Sequence, residues 1–212
     1  MPVRALLVDV GGVLIWSNWH TLTAFAAATG RPVPGQGPLD PATDPLWQRH
    51  LSGDLSIDDY WDGQAVANGF PDRRPMFGAI NEELQGDLFA DDTLALIDQA
   101  RSAGIPVGIL SNDLVAASGR EFVDSRSELD LDVFVDATEF GVRKPAPEIY
   151  LEAASRFRLD PAEIVFLDDT PECVAGAEAV GMVAIEVDPL DHSPALESAR
   201  ALLGLTPLDE VA

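Results

Sequence analysis

The chain of 212 residues has one cysteine, Cys173, and one lysine, Lys144, and it is short of positive charge altogether: 13 Lys plus Arg stand against 36 Asp plus Glu. A lone cysteine excludes an intramolecular disulfide and points to a reducing compartment. No apolar run approaches the roughly 20 residues of a membrane span, and the N-terminus lacks the charged, apolar and small-residue zones of a signal peptide. The expectation is a cytoplasmic protein. A formal net charge of -23 argues against nucleic acid and anionic membranes as partners, because the summed field repels polyanions. The same acidity also reads simply as a solvated surface. A small anionic substrate would need a concentrated, local positive site. No repeat or low-complexity segment interrupts the chain, and its length suits one sizeable core or a core with a small insertion.

What is present begins at Ala5 to Leu14, A-L-L-V-D-V-G-G-V-L. Four apolar residues lead into Asp9, and Gly11 and Gly12 then let the chain turn sharply. The run reads as a buried strand of a parallel sheet delivering an acid to its carboxyl end, where such sheets collect ligands; a strand-ending Asp that merely caps a turn is the other reading. Residues 15–86 read differently, as a helical insertion with helices near Trp19–Thr29, Pro45–Leu51 and Ile57–Gly69. Ser56 is the expected N-cap of the last, with Asp59 in its first turn, and Gly30–Pro45, rich in proline and glycine, reads as a loop. Trp16, Trp19, Trp47, Tyr60 and Trp61 are candidates for the core of this insertion or for a substrate pocket.

From Asp91 onward strands and helices alternate. Helices are expected over Thr93–Ala103, after Asp113 to about Asp124, over Pro147–Phe157, Pro171–Val180 and Pro194–Leu203. Strands are expected over Pro106–Leu110, Val133–Val135, Ile164–Leu167 and Val183–Val187, and the last few residues read as frayed. Alternation of this kind means right-handed crossovers and a parallel sheet. The fold class is therefore α/β, a three-layer Rossmann-like core formed by residues 1–14 and 87–212, with a small α-helical cap over 15–86.

The strand ends gather polar groups: Asp9 from the first, Ser111 and Asn112 from the second, Lys144 shortly after the third, Asp168 and Asp169 from the fourth. Carboxylates brought together repel, so either their pKa values rise or a cation sits among them. A hard cation such as Mg²⁺ suits Asp9 with Asp169, Asp168 assisting. Lys144 escapes a bias of twelve arginines to one lysine, which a site needing a compact ammonium rather than a planar fork would explain. Ser111-Asn112 also reads as an ordinary helix N-cap, and a helix N-terminus is itself an anion site.

The motif order D-x-x-G-V-L, S-N, K-P and D-D resembles the haloacid dehalogenase-like hydrolase superfamily over nearly the whole chain. The insertion after the first strand is similar to the helical cap of its small-molecule phosphatases. F-L-D-D-T-P-E-C-V-A-G-A-E-A-V-G-M looks like that subgroup's fourth motif, and S-G-D-L-S-I-D-D-Y-W with G-V-R-K-P looks like its bacterial sugar-phosphate phosphatases. The resemblance implies a Mg²⁺-dependent hydrolase of a small phosphorylated metabolite. Asp9 would be the nucleophile that becomes an aspartyl phosphate. Ser111 and the amide of Asn112 would hold phosphate oxygens, and Lys144 would neutralise charge between Asp9 and the phosphoryl group. Mg²⁺ would sit on Asp9, the Gly11 carbonyl and Asp169, with Asp168 assisting. One position departs from the pattern: the second aspartate that usually serves as acid and base is Gly11 here. Asp113 and His20 are candidate substitutes, and the loss predicts slow turnover or a preference for good leaving groups. A non-catalytic relative that binds a phospho-ligand or a protein, and a 2-haloacid dehalogenase, are the alternative readings.

Overall fold

The computed structural model describes residues 2–31, 35–37, 40–84, 88–115, 131–189 and 191–206. The chain forms two compact units, residues 1–15 with 89–212 and residues 16–88. The first is built on five parallel strands, β1 (Ala5–Val8), β2 (Val107–Ser111), β3 (Val133–Asp136), β4 (Ile164–Asp168) and β5 (Val183–Glu186), in the order β3-β2-β1-β4-β5. β1 is central, Leu6 lying beside Val107 and Val165. All four of its side chains are buried, as expected of a strand covered on both faces.

The period of two in β1 sorts those side chains into two cores. Leu6 and Val8 pack with Leu96, Ile97 and Leu196, while Ala5 and Leu7 pack with Ile149, Tyr150 and Phe166. Helices Asp91–Ser102 and Ser193–Leu203 supply the first layer, and Pro147–Phe157 and Pro171–Ala179 the second. Pro147 and Pro171 open their helices at the first turn, where no backbone donor is needed. Strand and helix bounds agree with the sequence to within two residues. The helix expected to reach Asp124 lies outside the described residues beyond Val115, as does the expected frayed end. Among the described residues no helix is long and apolar enough to cross a membrane.

The second unit holds α1 (Asn18–Thr29), α2 (Pro45–Leu51), α3 (Ile57–Ala67) and α4 (Arg73–Glu83). Ser56 caps α3 as expected: its Oγ accepts from the Asp59 amide at 3.0 Å and donates to Asp59 Oδ2 at 2.6 Å. α4 has no counterpart in the sequence reading. Pro75 and Gly78 obscure it, yet Pro75 falls in the first turn after the Asp72 N-cap, and Met76 and Ile80 bury one face at i, i+4 spacing. Trp19, Trp47, Tyr60 and Trp61 pack on one another with ring centroids 5.0–5.4 Å apart. Tyr60 and Trp61 are buried in this unit, while Trp19 and Trp47 stay half-buried.

Candidate active site

At the carboxyl edge of the sheet, three acids meet one ammonium. Asp9 follows β1 directly, its amide donating to the Leu167 carbonyl at 2.8 Å, while Asp168 ends β4 and Asp169 begins the turn after it. Lys144 Nζ donates to Asp9 Oδ1 and Asp168 Oδ2, each at 2.6 Å, and to the Leu110 carbonyl at 3.0 Å. Three donors on three acceptors leave the ammonium fully paired, with only 3% of its side chain exposed. Burial pulls its pKa down, but Asp9 and Asp168 outweigh burial and hold it above the usual lysine range.

The carboxylates are less well matched. Asp168 is complete, because its other oxygen accepts from the Thr170 amide at 2.9 Å. Burial pushes Asp9 up to about 6, with Lys144 opposing and the Asp168 charge adding to the rise. Asp169 is pushed up to about 7 by burial and then by the charges of Asp9 and Asp168. One oxygen from each of the three acids lies within 4.8 Å of the others. One ammonium against three carboxylates leaves the cluster two charges from neutrality.

Two glycines shape the floor. Gly12, at φ +80°, lies so close to the Asp169 carboxylate that any side chain there would displace it. A Cβ on Gly11 would meet nothing within 4 Å among the described residues, so a side chain could start there without a clash. Ser111 is buried, and its Oγ accepts from the Asp113 and Leu114 amides at 3.2 and 3.0 Å. Among the described residues its own proton has no acceptor, which leaves it for a ligand. The Asn112 side chain turns to Lys144: Oδ1 accepts from the Lys144 amide at 2.8 Å and Nδ2 donates to the Lys144 carbonyl at 3.3 Å.

Asp9, Ser111, Asn112, Lys144, Asp168 and Asp169 are thus brought to one edge, joined by the turn carrying Gly11. Asp113 is exposed and faces Arg143, with 3.5 Å between Oδ2 and Nη2. His20 belongs to the other unit, on α1, its Nδ1 2.8 Å from Ser17 Oγ. Sequence reasoning missed the Leu110 carbonyl, the Thr170 amide and the Asn112 carboxamide as partners. Only the Thr170 contact carries a local signal, the turn in which Asp168 caps the amide two residues on.

The all-parallel sheet flanked by helices is an α/β architecture of the Rossmann-like type, with the acid and lysine cluster lying beyond its strand ends. The haloacid dehalogenase-like hydrolase family model matches residues 3–181, and the chain belongs to that family. A phosphatase of Mycobacterium tuberculosis is 30% identical over 128 residues, 60% of this chain and 50% of that one. A sesquiterpene phosphatase of Aspergillus oryzae is 26% identical over 187 residues, covering 87% and 89%. The chain spans half or less of the length of several other curated relatives it matches. Among solved structures, a dehalogenase with an intermediate complex superposes with a TM-score of 0.60 at 21% identity, covering 97% and 99% of the two chains. A haloacid dehalogenase-type enzyme of Bacteroides thetaiotaomicron, in complex with magnesium and inorganic phosphate, gives 0.53 at 19%, covering 89% and 96%.

Proposed function

We propose that the protein hydrolyses a small phosphate monoester through an aspartyl phosphate on Asp9, with Mg²⁺ as cofactor. The observation that carries this reading is the cluster itself: one buried ammonium faces three carboxylates that each place an oxygen within 4.8 Å of the others, and burial first, then their mutual charge, raises the pKa values of Asp9 and Asp169. The donors that remain are carboxylate oxygens, the ligand type Mg²⁺ prefers, and a divalent ion restores neutrality. Asp9 and Asp169 would hold it, since Asp168 is committed to Lys144 and Thr170. Bound there, Mg²⁺ supplies charge stabilisation to the transferring phosphoryl group. The phosphatases among the relatives support the reaction class.

In the proposed reaction the Asp9 carboxylate attacks phosphorus, the bond to the ester oxygen breaks, and the phosphoryl group rests on Asp9 until water releases it. Lys144 stays charged throughout, held by Asp168 beside Asp9, and compensates the equatorial oxygens of the phosphoryl group. The Ser111 hydroxyl and the Asn112 amide bind those oxygens. Gly11 offers no proton to the departing alkoxide, which favours esters with good leaving groups.

The test is phosphate release from a panel of monoesters, p-nitrophenyl phosphate included, with and without Mg²⁺ and with Asp9→Asn as control. Metal-dependent release that vanishes in the variant is the expected result. A folded protein that binds Mg²⁺ and phosphate without turnover would replace this reading with a binding role.

A further inference from the structure

We infer that the Asn112 side chain is the positioning residue that holds Lys144 in the site, coupling the end of β2 to the turn that carries the lysine. The inference rests on the reading of Lys144 as the cation of the active site. Lys144 sits in irregular backbone between Gly141, in the left-handed region at φ +85°, and the helix Pro147–Phe157, so no strand or helix ladder fixes its peptide groups. Both of them end on one carboxamide instead. Asn112 accepts from the Lys144 amide at 2.8 Å and donates to the Lys144 carbonyl at 3.3 Å, serving as a neighbouring strand's peptide group would.

Only an amide does both jobs, since aspartate keeps the acceptor but loses the donor and serine is too short to span both. The neighbouring Arg143 and Asp113 join the same two segments on the outside, but with side chains 61% and 66% exposed and 3.5 Å apart they contribute little. From behind, a side chain at Gly176 would strike the Pro145 carbonyl, so the helix Pro171–Ala179 backs the turn closely. Asn112 thus sets the root of the lysine, while Asp9, Asp168 and the Leu110 carbonyl receive its tip. A buried cation serving two carboxylates is sensitive to small displacements, and misplacement by about 1 Å costs on the order of 10²-fold in rate.

Lys144 is the only lysine in the chain, so it is its own probe. The experiment is acylation of folded protein by an amine-selective reagent, with the Lys144 peptide quantified by mass spectrometry apart from the α-amino group. Wild-type Lys144 should resist. Asn112→Ala should label about tenfold faster or more as the turn opens locally, and Asn112→Asp, which keeps the acceptor, should lie between. With p-nitrophenyl phosphate, Asn112→Ala should lower kcat by about 10- to 100-fold and leave KM within about threefold. Labelling of both variants at the wild-type rate would overturn the inference. So would an equal acceleration in Asp113→Asn, which would assign the hold to the outer pair. If Asn112→Ala fails to fold, Asn112→Asp carries the test, faster labelling supporting the inference and the wild-type rate overturning it. Labelling needs no turnover, so an inactive wild type would sink the phosphatase reading and leave this inference to be decided by the labelling.

Discussion

Each unit is organised around a buried aspartate, and the two aspartates are treated in opposite ways. In the helical unit, Asp44 is 1% exposed and accepts from five donors: the amides of Gly37, Leu46 and Trp47, the Tyr60 hydroxyl and the Gln64 carboxamide. All five are neutral, and they satisfy the carboxylate completely. They also tie the loop before α2 to α3. In the sheet unit, Asp9 has one ammonium that it shares with Asp168, and Asp169 stands close by with its pKa raised. A carboxylate enclosed by neutral donors is a structural joint, whereas one left short of positive charge is poised to take a cation or to react.

The sharpest break of this contrast is Asp9→Asn. In the proposed reaction it should remove turnover by about 10⁴-fold or more while leaving thermal stability unchanged or higher, because one of two neighbouring buried like charges is gone. A marked fall in Tm would place Asp9 with Asp44 as structural. Asp44→Ala should do the reverse, lowering the free energy of unfolding in urea by about 3–5 kcal/mol because its buried donors lose their acceptor. A loss below about 1 kcal/mol would erase the distinction.

Gly11→Asp tests whether the missing acid is all that slows the site. The open space at its Cβ and a φ outside the left-handed region predict a folded variant. Its turnover of a poor leaving group should rise by about 10²-fold, the ordinary worth of general acid-base help, and no gain would show that another group already supplies the proton.

The mildest effect is on pH dependence. Asp9 and Asp169 have folded-state pKa values of about 6 and about 7, above the unfolded carboxylate value, so the folded state holds their protons more tightly. Their contribution to stability is therefore complete below about pH 4 and is lost as pH rises to about 7. Mg²⁺ should restore it, raising Tm more at pH 8 than at pH 5.5, where protons compete for the same oxygens. Thermal scans with and without Mg²⁺ at the two pH values measure this directly; an equal rise at both would remove the carboxylates as its ligands.

Much of the sheet unit was legible because its signals are local. The apolar run Ala5–Val8 and the prolines at 147 and 171 each act within one turn or strand, and the right-handed crossover then leaves few topologies. The residues of the candidate site were legible for the same reason, since each follows a strand and a parallel sheet aligns its strand ends. α4 escaped because its apolar face is only two residues deep and its proline reads as a breaker until the cap is seen. The Asn112 carboxamide escaped because its partner is 32 residues away, in backbone without periodicity.

By itself, then, the sequence determined the order of the elements, the parallel sheet and the identity of the polar groups at its edge, all of which follow from short-range stereochemistry and the handedness of the chain. Only the tertiary structure decided how those groups divide the work. It gave Asp168 to Lys144 and Thr170, left Asp9 and Asp169 short of charge, opened space beside Gly11 and enclosed Asp44. Hydrogen bonding and desolvation depend on which atoms meet, and most of these meetings join residues far apart in the chain.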